Sequence, residues 1–159
     1  MGFNNLHNFK CMKYFISHRG NLVGKDPKKE NTSSYIQEAL SKGFDVEIDI
    51  WIKDAILYLG HDGPEQKVML EWLKERKDKL WIHCKSLETL GFFNELNSSF
   101  NYFFHDDDEA TLTSKGFIWV FPGKQPVNNS IAVMPEIHND DYSQCIGICS
   151  DLIQNYRDN

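Results

Sequence analysis

The sequence predicts an α/β fold. It is built of βα units on a parallel sheet, closed as a barrel or left open, with its later helices reduced or missing. Two observations predict this. Short apolar strands alternate with helical stretches along the chain. The crossovers between them also shorten toward the C-terminus. A third observation sets the scale. The 159 residues amount to one domain, spanning 1–159, and fall short of the roughly 200–250 that a complete eightfold β/α barrel uses.

The first strand is residues 14–17 (YFIS), followed by a loop rich in Gly, Lys and Pro. Thr32 or Ser33 caps a helix that runs to about Lys42. Tyr35, Ile36, Ala39 and Leu40 lie on one of its faces, and Gly43 closes it. Residues 45–50 form the second strand, and residues 56–59 (ILYL) are hairpinned to it. Residues 68–78 read as a helix with Met69, Trp72 and Leu73 as its apolar stripe. A strand at 80–84 (LWIHC) precedes a helix over about 87–96 that Ser86 caps. Strands follow at 102–104 and 117–121, with at most a short helix at 109–114 between them. The run PGKQPVNN has turn chemistry. Strands at 131–134 and 146–149 lead to a terminal helix that begins at 151–156.

Composition excludes several classes. Hydrophobic residues make up 41% and aromatics 13%, too much core-forming material for a disordered chain. A net charge of −6 argues against a general binder of nucleic acid or anionic lipid, while leaving room for a local phosphate pocket. No apolar run approaches the roughly 20 residues of a membrane span, and no signal-peptide pattern is expected at the N-terminus. The cysteines at 11, 84, 145 and 149 read as reduced thiols of a cytoplasmic protein. Cys145 and Cys149 have no second Cys pair with which to complete a zinc site.

Titratable residues gather where apolar strands end. YFIS runs into His18-Arg19, ILYLG into His61-Asp62, LWI into His83 with Lys85 two residues on, and YFF into His105-Asp106. Ligand sites of parallel β/α folds form at such ends. Side chains alternate along a strand, so Glu47 and Asp49 face the same way. Two neighbouring carboxylates call for a shared proton or cation, and their oxygens suit Mg²⁺, Ca²⁺ or Mn²⁺. His83 shares a face with Lys85; it can complete a metal shell while Lys85 meets a phosphate. Residues 106–108 read more simply as a solvated loop or helix start. His7 and His138 have no strand-end context.

In order, His18-Arg19-Gly20, Glu30-Asn31-Thr32, Glu47-x-Asp49 and the His61-Asp62 that closes LYLGHD resemble the opening motifs of the glycerophosphodiester phosphodiesterase family. That family belongs to the barrel-fold phospholipase C-like phosphodiesterases. The resemblance is clear over residues 14–62, and beyond residue 85 it rests on strand order. It implies a reduced TIM-type β/α barrel of about seven strands with shortened C-terminal helices. It implies a phosphoric diester hydrolase acting on a small glycerol- or sugar-phosphate diester. His18 would then be the general base and His61 the general acid. Arg19 and Lys85 would hold the phosphate. Glu47 and Asp49 would ligate a divalent metal, with Glu30 lining the site. The family's third ligand is a Glu two residues before a Lys; here His83 stands in that place with Lys85 intact.

The chain departs from the family pattern in three places. His83 removes one negative ligand, which weakens Ca²⁺ and favours Mn²⁺ or Zn²⁺. Pro27-Lys28-Lys29 precede Glu30, and no lid-sized insertion follows His61. A non-catalytic phosphate- or sugar-phosphate-binding module is the alternative. An incomplete barrel also exposes strand edges and apolar flank, residues 117–121 among them, so either a terminal segment covering the gap or self-association is expected.

Overall fold

The structure, a computed structural model, describes residues 11–96 and 99–159. His7 lies outside the described residues. The strands are β1 (Tyr14–His18), β2 (Asp45–Lys53), β3 (Ile56–Leu59), β4 (Gln66–Lys67), β5 (Leu80–Cys84), β6 (Asn101–Phe103), β7 (Ala110–Leu112), β8 (Ile118–Val120), β9 (Ser130–Val133) and β10 (Gly147–Ser150). The helices are α1 (Ser33–Ser41), α2 (Leu70–Lys74), α3 (Leu87–Glu95) and α4 (Ile153–Asp158).

This architecture corrects the expected TIM-type barrel. The strands form one 10-stranded mixed sheet curled into a half-barrel, and the described helices are short, none longer than 9 residues. Parallel pairing runs β6-β5-β2-β1-β10-β9-β8, with β3, β4 and β7 added antiparallel. Among the described residues β6 and β8 share no ladder, so the curl is not closed by hydrogen bonds there. Rings fill that seam instead: Phe103 and Trp119 lie 4.8 Å apart, and Phe117 packs 4.9 Å from Trp81. The helical outer layer is incomplete: between β6 and β10 the connections are short and carry no α-helix.

Two local readings are also corrected. The helix expected over 68–78 shrinks to α2, because Gln66 and Lys67 pair with Leu59 and Tyr58 and pull the preceding chain into the sheet. The short helix expected at 109–114 is strand β7, paired antiparallel with β8 from Ala110↔Val120 to Leu112↔Ile118. Gly116, at φ +84°, supplies the turn between them. The hairpin of β2 and β3 forms as expected, with Ile50 opposite Leu59. The cap of α1 also forms, its Thr32 hydroxyl accepting from the Tyr35 amide.

Alternation along the strands places the site. On the outer face of the curl Val46, Ile48 and Ile50 pack with Ile36, Ala39, Leu73 and Phe93 of the helices. The inner face carries Ile16, Trp81, Phe103, Trp119, Ile131 and Cys149 as a second apolar cluster. The same inward positions turn polar toward the C-terminal ends of the strands. His18 pairs in register with Glu47, and Asp49 with His83. Within residues 117–121 the apolar surface is divided: Trp119 and Val120 are buried, whereas Ile118 is exposed, as is its hairpin neighbour Leu112. No helix among the described residues is long and apolar enough to cross a membrane.

Candidate active site

A cavity of about 370 Å³ opens at the C-terminal end of the parallel strands. His18, Arg19, Glu47, His61, His83 and Lys85 line it. Six of the eight residues expected at the site thus line this space, and Asp49 lies directly behind them in contact with Arg19, His61, His83 and Lys85. Glu30 does not line it. It sits behind Arg19 as a buttress, with Oε2 3.3 Å from the guanidinium and Oε1 accepting from Asn21 at 2.8 Å.

Asp49 is the hub and has no exposed surface. Its Oδ2 lies 3.0 Å from Nε of Arg19 and 3.4 Å from Nδ1 of His61, and it accepts from the Asn31 side chain at 2.8 Å. Asn31 in turn accepts from the Asp49 amide at 3.0 Å, clamping the residue from both ends. Oδ1 faces His83 Nδ1 at 2.9 Å and Lys85 Nζ at 3.7 Å. Burial alone would raise the Asp49 pKa. Hydrogen bonding to His61 and His83, with the Arg19 charge, outweighs burial and holds it well below the usual carboxylate range.

Glu47 is its counterpart. Burial, then the charge of Asp49, pushes its pKa up. Its oxygens stand 3.8 Å from His18 Nε2 and 3.9 Å from His83 Nδ1, outside hydrogen-bond range. Glu47 Oε2 is buried without a hydrogen-bond partner, while Asp49 Oδ1 is met by the nitrogens of His83 and Lys85. An orphaned buried carboxylate oxygen is costly, and a cation is one way to satisfy it. Ligand atoms of Glu47, Asp49 and His83 lie within 4.8 Å of one another. Two carboxylates and one imidazole make a donor set that fits Mn²⁺ or Zn²⁺.

His18 is oriented from behind. Its Nδ1 lies 2.7 Å from Asp151 Oδ1, and the Asn21 side chain donates to that same oxygen at 2.8 Å. Burial lowers the His18 pKa, but the Asp151 hydrogen bond and the Glu47 charge outweigh it and raise it overall. The linkage sign follows. A raised pKa in the folded state gives stability that is whole below the ordinary value of about 6.5 and is lost as pH rises through the folded value. In EDTA, the stability gap between the wild type and His18→Gln should therefore narrow as urea denaturation is repeated at rising pH. A gap that widens would refute the ion pair.

Arg19 reaches the site through a left-handed backbone (φ +57°), followed by Gly20 at φ +96°. A Cβ on Gly20 would lie 2.6 Å from the Tyr35 ring, so the turn needs glycine on both counts. His61 sits at the rim with 40% of its side chain exposed, its Nε2 3.4 Å from an Arg19 nitrogen.

The sequence reading gives no site role to Asp151 or Asn21, whereas His105, one of the four strand-end histidines, lines the cavity with the other three. Asp151 directly follows β10, so the strand-end rule that singles out His18 applies to it equally, although in sequence it also reads as the start of the terminal helix. The His105 ring stacks 4.5 Å from His83 and 4.0 Å from Phe121. Burial, with the charge of His83 next, pushes its pKa down to about 4. His138 packs against Gly123, away from this cavity. No family model matches the chain, and neither a curated protein nor a solved structure matches it significantly.

Proposed function

We propose that this chain is a metal-dependent phosphodiester hydrolase acting on a small glycerol- or sugar-phosphate diester, as its resemblance to the glycerophosphodiester phosphodiesterases implies. One observation carries the reading. His18 stands beside Glu47 and His61 beside Asp49, so two proton-transfer groups flank one buried Glu47–Asp49–His83 donor set. Arg19 and Lys85 line the same cavity and supply the positive charge that an anionic diester needs.

The residues divide the work as follows. With its Nδ1 proton held on Asp151, His18 presents Nε2 to the cavity and takes the proton of the attacking hydroxyl. Asp151 stabilises the imidazolium that results. His61, oriented by Asp49 and open to solvent at the rim, gives a proton to the leaving oxygen. Arg19 and Lys85 offset charge on the phosphoryl oxygens. A divalent cation bound by Glu47, Asp49 and His83 would add Lewis-acid stabilisation of that charge. Cys11, Cys84, Cys145 and Cys149 are all free thiols, which fits a reducing, cytoplasmic setting. Self-association would use the exposed Leu112 and Ile118 of the β7–β8 hairpin.

The test is turnover of bis(4-nitrophenyl) phosphate and of a panel of glycerophosphodiesters, with Mn²⁺ and with EDTA. Hydrolysis is expected only with metal. Phosphoester binding by calorimetry with no turnover across the panel would replace the hydrolase with a phosphate-binding module. Hydrolysis that persists in EDTA would contradict the metal mechanism.

A further inference from the structure

A groove of about 680 Å³ lies on the outer side of the curl and shares no lining residue with the catalytic cavity. Its floor is apolar. Ile52 and Leu57 come from the β2–β3 hairpin, Val68 and Leu70 from around the start of α2, and Phe92 from α3, and all belong to the outer cluster. At five residues, α2 is too short to cover this part of the sheet as a full crossover helix would.

One helix face borders the groove. α3 turns Glu88, Gly91, Phe92 and Glu95 toward it, the i, i+3, i+4, i+7 positions of a single face. Gly91 sits in the helix interior, where glycine weakens a helix relative to alanine. A Cβ at Gly91 would meet open space. Packing within the chain therefore gives no reason for glycine at this position, whereas a second backbone passing close over α3 does.

The rim is acidic. Glu71, Glu88 and Glu95 are exposed there, and Lys67 is the one cation among the lining residues. Glu95 stands at the C-terminal end of α3, where the helix dipole disfavours a carboxylate and no basic residue in the last turn offsets it.

We propose that this groove docks a basic amphipathic helix of a protein partner, with aliphatic side chains on the apolar floor, the backbone over Gly91, and lysines or arginines against Glu71, Glu88 and Glu95. An apolar floor between charged rims is the surface on which such a helix lays its apolar face, and the opposite charges set its orientation. The same carboxylates repel an anionic lipid surface or a nucleic acid. A second copy of this chain fits less well, because its exposed apolar pair, Leu112 and Ile118, sits on a strand hairpin.

The test uses the full chain and three short, fluorescein-labelled helical peptides of one pattern: leucine–lysine, leucine–glutamate and alanine–lysine. Fluorescence anisotropy should show the leucine–lysine peptide binding at least about tenfold more tightly than either of the others, because it alone matches both floor and rim. Gly91→Trp fills the groove and should weaken that peptide by at least about tenfold, with circular dichroism checking the fold. The double substitution Glu88→Gln and Glu95→Gln, at exposed positions, should weaken it as well and flatten its salt dependence. Equal binding to the wild type and to folded Gly91→Trp would overturn the docking site. So would an affinity and a salt dependence that the double Gln variant leaves unchanged. Self-association of the wild type that light scattering finds lost in Gly91→Trp would give the groove to a second copy and overturn the partner helix. Since no residue of the catalytic cavity lines the groove, each of these results is independent of the hydrolase reading.

Discussion

Replacing His18 with Ala should lower metal-dependent turnover of a phosphodiester by roughly 10²–10⁴-fold, the span general acid–base groups contribute. No other imidazole at the site has the same support. The Asp151 contact at 2.7 Å fixes which ring nitrogen carries the proton, and Asn21 fixes Asp151. Asp151→Asn should therefore also lower turnover, by less, because His18 stays in place but loses its orienting charge. Far-ultraviolet circular dichroism of each variant checks that the fold persists. If His18→Ala retains turnover within about threefold of the wild type, His18 is not the base.

Asp49→Ala should destabilise the metal-free protein by about 3–5 kcal/mol, the range for breaking a buried ion pair by removing one partner. The change strips Arg19 of its 3.0 Å partner and leaves a buried guanidinium with Glu30 as its remaining carboxylate neighbour. It also removes the acceptor of the Asn31 side-chain NH₂ and the carboxylate facing His61 and His83. Urea denaturation measures the loss. A loss below about 1 kcal/mol, typical of exposed pairs, would show that the network is not held together through Asp49.

Much of the site was legible because one local rule, polar residues where apolar strands end, acts on a few residues at a time. The run DVEIDI shows both faces of β2 at once, with Val46, Ile48 and Ile50 outward and Glu47 and Asp49 inward. The same rule applied to β10 would have yielded Asp151. Glu30 supports Arg19 from behind instead of lining the cavity, because its loop folds back through Asn21, a contact nine residues away that no periodicity marks.

The architecture was less legible for a related reason. Whether parallel strands close into a barrel depends on pairings between distant segments, and β6 carries no pattern that says it stops short of β8. Edge strands were missed where they are very short. Gln66 and Lys67 are two residues. Thr111 and Leu112, flanked by a turn, carry too little alternation to mark a strand. The apolar spacing of Met69, Trp72 and Leu73 fits a helical period, yet the helix it marks is only five residues long: pairing of the preceding chain with β3 delays its start, and beyond Lys74 the chain runs on in turns, the Arg76 and Lys77 amides donating to the Leu73 and Lys74 carbonyls.

The place of the cation is the most direct test. Crystals soaked in Mn²⁺ and measured near the manganese absorption edge should show one anomalous peak within about 2.0–2.4 Å of oxygen atoms of Glu47 and Asp49 and a nitrogen of His83. His18 and His61 should remain at its flanks, each turned to the same open space. A peak elsewhere, or none at these three side chains while Mn²⁺ binds in solution, would contradict the metal centre on which the hydrolase reading stands.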